Sequence, residues 1–211
     1  MIIEAIKDGL TLSDEGGGGD YTPAPEGSHI ARCIRVVDLG TQINDFEGQE
    51  TRKREVMLTW EVYCLDESEK LLLRDNGSPF EISKRYTASL NEKANLRKHL
   101  DSWRGRPFNE DELKGWHVKN VLNSYCLLSI QHKISKKNKP YACIAGIINL
   151  PRGMAKPEPI NTYMHFSLRE FDRDWFAELP EYVQELIKGS CEWPAIETAL
   201  ASMPANENTP F

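Results

Sequence analysis

Residues 56–64, VMLTWEVYC, alternate an apolar row (Val56, Leu58, Trp60, Val62, Cys64) with a more mixed one (Met57, Thr59, Glu61, Tyr63). Successive side chains of a strand point to opposite faces, so this period of two reads as a β-strand with an apolar inner face. Upstream, Ile30, Cys33, Ile34, Val36, Val37 and Leu39 predict a first strand over residues 29–39, stopped at Gly40 and followed by a polar loop. Downstream, Phe80, Ile82, Tyr86, Ala88 and Leu90 form a third alternating run, interrupted on that face only by Lys84. A helix is then expected to start at Ser89, with Glu92 completing a capping box, or at Asn91. Leu96, Leu100 and Trp103 share one of its faces, and Gly105 and Pro107 end it. Asn109 caps a short helix whose first turn holds Glu110, Asp111 and Glu112. Leu122, Cys126, Leu128, Ile130 and Ile134 mark a fourth strand, turned at residues 135–140 into a fifth over 141–150.

Three strands, a helix and a hairpin predict a fold that is mainly β with α: a five-stranded OB-like Greek-key barrel with an α-helix between strands 3 and 4 and a C-terminal helical extension. In that extension, Phe171, Trp175 and Leu179 have helical spacing, and a second helix opens with Pro180 at N1 and ends near Gly189, with Tyr182, Val183, Leu186 and Ile187 on its apolar side. Residues 13–27, with glycines 16–19, Pro23 and Pro25, have neither period and read as a loop or flexible arm. No Gly-Lys-Ser/Thr follows the glycines, so they are not a phosphate loop. The expected organisation is an arm (1–27), the OB-like domain (28–156), a helical extension packed on the barrel (157–198) and a flexible tail (199–211).

The net charge of −6 hides an asymmetry. Residues 1–27 hold one lysine against six acids, residues 28–156 hold 22 cations against 16 acids, and residues 157–211 hold three against ten. A basic middle between acidic ends fits an anion-binding domain with solvated or partner-binding tails. Cys33, Cys64, Cys126, Cys143 and Cys191 are scattered, without a C-x-x-C pair, and read as reduced structural thiols. No apolar run is long enough to span a membrane, and the charges within residues 1–12 do not fit a signal sequence, so the chain is expected in the cytoplasm, without a membrane partner.

Catalytic spacing is missing. The five histidines show no H-x-x-x-H or H-x-E, and no G-x-S-x-G, G-x-G-x-x-G or zinc pattern occurs, so no catalytic residue, metal or cofactor is expected. The cations instead cluster at two predicted loops that flank the oligonucleotide face of an OB-fold: Arg52, Lys53 and Arg54 after the first strand, and Lys133, Lys136, Lys137 and Lys139 between the fourth and fifth. Between them, Lys84, Arg85, Lys93, Arg97, Lys98, Arg104 and Arg106 face only Glu92 and Asp101. Single-strand binders combine such cations with exposed rings that stack on bases. Trp60 and Trp103 lie on core faces; Tyr63, on the mixed face, and Tyr141, beside the lysine turn, are the expected stacking rings. An interaction protein docking an acidic host factor, and a metal-dependent nuclease or recombination accessory, are the alternative functions.

The segments SLNEKANLRKHLDSWRGRPF (89–108) and KISKKNKPYACIAGIINLPRGM (133–154), with TPAPEGSHIARCIRVVDLGTQ (22–42) and ELPEYVQELIKGS (178–190), resemble a family of tailed-bacteriophage early proteins with an OB-fold that bind single-stranded DNA. The resemblance covers about residues 20–190 and implies sequence-independent binding in phage replication or recombination, inside the infected bacterial host. The ending NENTPF (206–211) is similar to the tip of bacterial single-stranded DNA-binding proteins, though only Glu207 is charged within it. That similarity implies that Pro210 and Phe211 dock replication or recombination proteins.

Overall fold

The computed structural model describes residues 22–46, 48–136 and 138–202. Six strands, β1 (Gly27–Phe46), β2 (Gln49–Tyr63), β3 (Phe80–Thr87), β4 (Tyr125–Ile134), β5 (Pro140–Asn149) and β6 (Met164–Phe166), form one sheet. Five of them run β3-β2-β1-β4-β5 in antiparallel pairs, and β6 lies parallel to β1. The chain is thus mainly β, with helices α1 (Asn95–Arg104), α2 (Glu110–Gly115), α3 (Arg173–Ala177), α4 (Glu181–Lys188) and α5 (Trp193–Ser202). The expected five-stranded closure gives way to an open ladder: no pairing joins β3 to β5, and α1 packs against both.

Gly40 does not stop the first strand. β1 runs through it with irregular pairing between Cys33 and Arg35 and between Asp38 and Gly40, and Gly40 itself sits at φ 73°. A glycine inside a strand pattern here marks a bulge, not a boundary. A Cβ at Gly40 would lie 2.7 Å from Ser190 Cβ and 2.8 Å from Leu168 Cδ1, so the bulge also lets the C-terminal layer approach the sheet. Residues 41–46 and 49–55, read as a polar loop, form a two-stranded ribbon. Likewise α1 begins at Asn95, later than the Ser89 or Asn91 start, because Ser89 and Asn91 instead cap backbone amides of the preceding turn. The Asn109 capping box of α2 is present as expected. Residues 22–27 are held to the sheet: Ala24 is buried, and His132 Nε2 donates to its carbonyl.

Around β1 and β2 the sheet is buried on both faces. Inside, Cys33, Val36, Leu58, Trp60, Val62, Leu128 and Ile130 pack with Leu96, Leu100 and Trp103 of α1. Outside, Val37, Leu39 and Met57 pack with Met164, Phe166, Leu168, Leu179, Val183 and Ile187. The last three, from α4 and the turn before it, each contribute roughly 1.5–3 kcal/mol by leaving water. α5 extends to Ser202, past the expected start of a mobile tail at residue 199, and neither it nor β6 was expected from the sequence.

The outer layer is joined to the sheet through a buried ion pair. Arg32 Nε donates to Glu61 Oε1 at 2.7 Å, with both side chains at most 2 % exposed. Arg32 also donates to Asn123 Oδ1 and to the Asn161 carbonyl; Glu61 accepts from Tyr63 Oη and from the Asn161 amide. Burial alone raises the Glu61 pKa, but the hydrogen bonds from Arg32, Tyr63 and Asn161 hold it below its ordinary value. Removing one member leaves a buried charge unpaired, so Arg32→Met or Glu61→Gln is expected to lose about 3–5 kcal/mol in urea unfolding. Limited proteolysis of either variant is expected to cut first within residues 157–161.

Candidate nucleic-acid interface

Lys84 lies on the inward row of β3 with Ile82 and Tyr86, across from Leu58. At the unpaired edge facing β5 its Nζ donates to the Ile144 carbonyl at 3.0 Å. Burial pushes its pKa below the ordinary value, and the charge of Lys133 acts in the same direction. Lys133 pairs with Tyr141 across β4 and β5, and the next pair along that face is Gln131 with Cys143. Lys133 is exposed and Tyr141 half-buried. Lys84 also lines a groove of about 440 Å³ with Asn44, Glu55, Arg85, Tyr86 and Lys93, together with Ala94 and Asn95 at the head of α1. The ribbon, β3, the head of α1 and the β4–β5 hairpin therefore converge around one lysine.

Behind the groove, the buried Tyr86 hydroxyl bonds to His99 Nδ1 at 2.8 Å. Burial, with the Lys84 charge, pushes the His99 pKa down to about 4, so the ring that shares this hydrogen bond is neutral.

The expected contact residues divide sharply. Arg52, Lys53 and Arg54 belong to β2, opposite Ile43, Gln42 and Thr41, and not to a loop. Arg52 pairs with Glu50, Arg54 with Asp38 and Glu192, Arg85 with Glu55, and Arg104 and Arg106 both with Glu112. Arg97 is 8 % exposed, bonded to Asp101, and its guanidinium lies 4.9 Å from the Phe108 centroid; it is a core cation, not a surface contact. Lys53, Lys93, Lys133, Lys136 and Lys139 are exposed and, among the described residues, in no ion pair. Lys137, Pro210 and Phe211 lie outside the described residues.

Tyr63 is corrected. It is 4 % exposed, stacked on Tyr125 at 6.2 Å, and its hydroxyl donates to Glu61 and lies 3.2 Å from the Glu158 carbonyl. The mixed face of β2 is covered by the C-terminal layer, so its polarity marks a buried network and not solvent. Trp60 and Trp103 are buried as expected, with ring centroids 5.7 Å apart. Asn44 was missed because its segment read as a loop; Lys93 was visible as part of the basic run.

Among the described residues, no group of three or more His, Cys, Asp and Glu could hold a metal ion, and no helix is long and apolar enough to cross a membrane. The five cysteines are free thiols. No family model matches the chain, and a search of curated proteins finds no match.

The His99 environment has a consequence for stability. A histidine whose folded pKa lies below its unfolded value stabilises the fold above the unfolded pKa, near 6.5, and loses that contribution as pH falls towards about 4. The urea midpoint of the native chain is expected to fall across that window, and His99→Gln is expected to flatten this part of the profile.

Proposed function

We propose that this chain is a non-catalytic protein that coats single-stranded DNA without regard to sequence, in the replication or recombination of a bacteriophage within the bacterial cytoplasm. The observation that carries the reading is the convergence around Lys84 of cations from β3, the head of α1 and the β4–β5 hairpin, with Tyr141 at the edge of the same surface. Cations without carboxylate partners attract a polyanion, and a half-buried ring beside them offers a base a stacking surface regardless of its identity. An OB-like arrangement is supported by β1 pairing with both β2 and β4, by the bulges that bend it, and by α1 spanning the split between β3 and β5. Pro210 and Phe211 are proposed as the handle for replication or recombination partners, the aromatic ring being an anchor that an apolar pocket can take.

The test is an anisotropy titration with labelled oligo(dT) over a salt series. If about four to six phosphates are neutralised, log K against log salt has a slope of roughly −3 to −4. Changing Lys133, Lys136 and Lys139 together to Gln is expected to make that slope shallower by about 2 and to weaken all sequences alike. A flat salt response of the native chain defeats the reading.

The two tyrosines are expected to separate. Tyr141→Ala costs about 1–3 kcal/mol of binding with the fold intact. Tyr63→Ala lowers the unfolding midpoint, because it removes a buried ring and a donor to Glu61. Circular dichroism melts beside the titration distinguish the two.

A further inference from the structure

β4, β5 and the turn between them contain no Asp or Glu, and the chain carries none from Leu113 to Pro157. Lys133, Lys136 and Lys139 are exposed there and, among the described residues, in no ion pair. A carboxylate reaches this hairpin only from elsewhere in the chain, and the structure shows one that does. Glu26 Oε1 accepts from the His132 amide at 2.6 Å, just past Ile130, where the pairing of β4 with β1 ends.

The segment before β1 is fixed at that place. Ala24 is 2 % exposed within the inner core, its carbonyl accepts from His132 Nε2 at 2.8 Å, and the Pro25 carbonyl lies 3.0 Å from His29 Nε2. Pro23 and Pro25 restrict the backbone on either side of Ala24. The described residues therefore begin, at exposed Thr22, two residues from a bond to β4.

What precedes Thr22 is acidic. Residues 1–21, which lie outside the described residues, hold Glu4, Asp8, Asp14, Glu15 and Asp20 against Lys7. Asp20 is four residues from Ala24, and Lys136 is four residues from His132, to which Ala24 is bonded. An extended chain covers about 3.3 Å per residue, so both spans are about 13 Å and Asp20 reaches the lysines. A short tether holds such acids at an effective concentration on the order of millimolar, where individually weak ion pairs compete with a ligand.

We infer that residues 14–20 lie on the β4–β5 lysine hairpin when nucleic acid is absent and are displaced when it binds. The inference rests on the nucleic-acid reading for the identity of the competitor, while the contact itself needs only the charges and the tether. It makes the acidic segment an internal counterion, which a strand offering several phosphates at once replaces.

The experiment uses the full chain and a carbodiimide, which joins a carboxylate to an amine where the two touch, with and without oligo(dT). At low salt and without DNA, mass spectrometry is expected to find cross-links from residues 14–20 to Lys133, Lys136 or Lys139, and saturating oligo(dT) is expected to remove them. Asp14→Asn, Glu15→Gln and Asp20→Asn together raise oligo(dT) affinity on the order of tenfold at low salt, an advantage that fades as salt screens the pairs. Glu178→Gln, Glu181→Gln and Glu197→Gln remove the same charge from exposed positions of the C-terminal layer and are expected to change affinity by less than about twofold. Absence of the cross-links, with both triple variants binding alike, overturns the contact and leaves the nucleic-acid reading standing. Cross-links in a native chain that binds no oligo(dT) sustain the contact and remove the nucleic-acid reading.

Discussion

Arg32 and Glu61 meet across β1 and β2 where water does not reach, and the geometry on either side follows from satisfying them. A guanidinium in that place needs acceptors and a carboxylate needs donors, because each charge loses its hydration on burial. The sheet supplies only part of them. The remainder come from Asn123, in the turn before β4, and from residues 160 and 161, irregular backbone whose own amides and carbonyl would otherwise need water. Neighbouring tyrosines continue the pattern: Tyr63 reaches the Glu158 carbonyl and Tyr125 the Pro157 carbonyl. The ion pair thus fixes the path from the sheet to β6, and β6 in turn delivers Phe166 and Leu168 to the outer core.

The same sheet leaves its ladder open at one place, and that place is where the candidate interface lies. A strand edge exposes unpaired backbone groups, which proteins cover or charge to prevent unwanted pairing. Here both devices operate: α1 covers the split, and Lys84 places its ammonium on a β5 carbonyl. A lysine on an inward row is costly unless it has a partner and an outlet. The groove gives it the outlet, so the residue that stitches the split also lies at the groove wall.

Much of this was legible in the sequence, and each failure has its own physical cause. The alternation in residues 56–64 located β2 and its inward face, Leu96, Leu100 and Trp103 located the buried face of α1, and Asn109 located the α2 cap. Gly40 misled because a bulge and a strand end use the same residue for the same conformational freedom. Tyr63 misled because a period of two reports which residues share a face, and says nothing of whether a second layer covers it. Of the covering layer, α4 and its apolar side were legible, with Val183 and Ile187 buried as expected, whereas the three-residue β6 is too brief to carry a period of its own.

Arginine and lysine counted equally in the sequence charge, yet they have different roles in the fold. Each of the six arginines expected to touch nucleic acid has a carboxylate partner, whereas the described lysines expected to do so have none. The guanidinium fork matches a carboxylate with two fixed bonds, so a nearby acid captures it and the pair is shared with the structure. An ammonium is a compact, strongly hydrated charge on a flexible stem, and on an exposed turn it stays in solvent. The field around the β4–β5 hairpin is therefore set by lysines, while the arginines brace the ribbon and the loop after α1. A surface divided in this way fits the proposed sequence-independent binding: ammoniums on flexible stems can follow a backbone of phosphates without demanding one geometry.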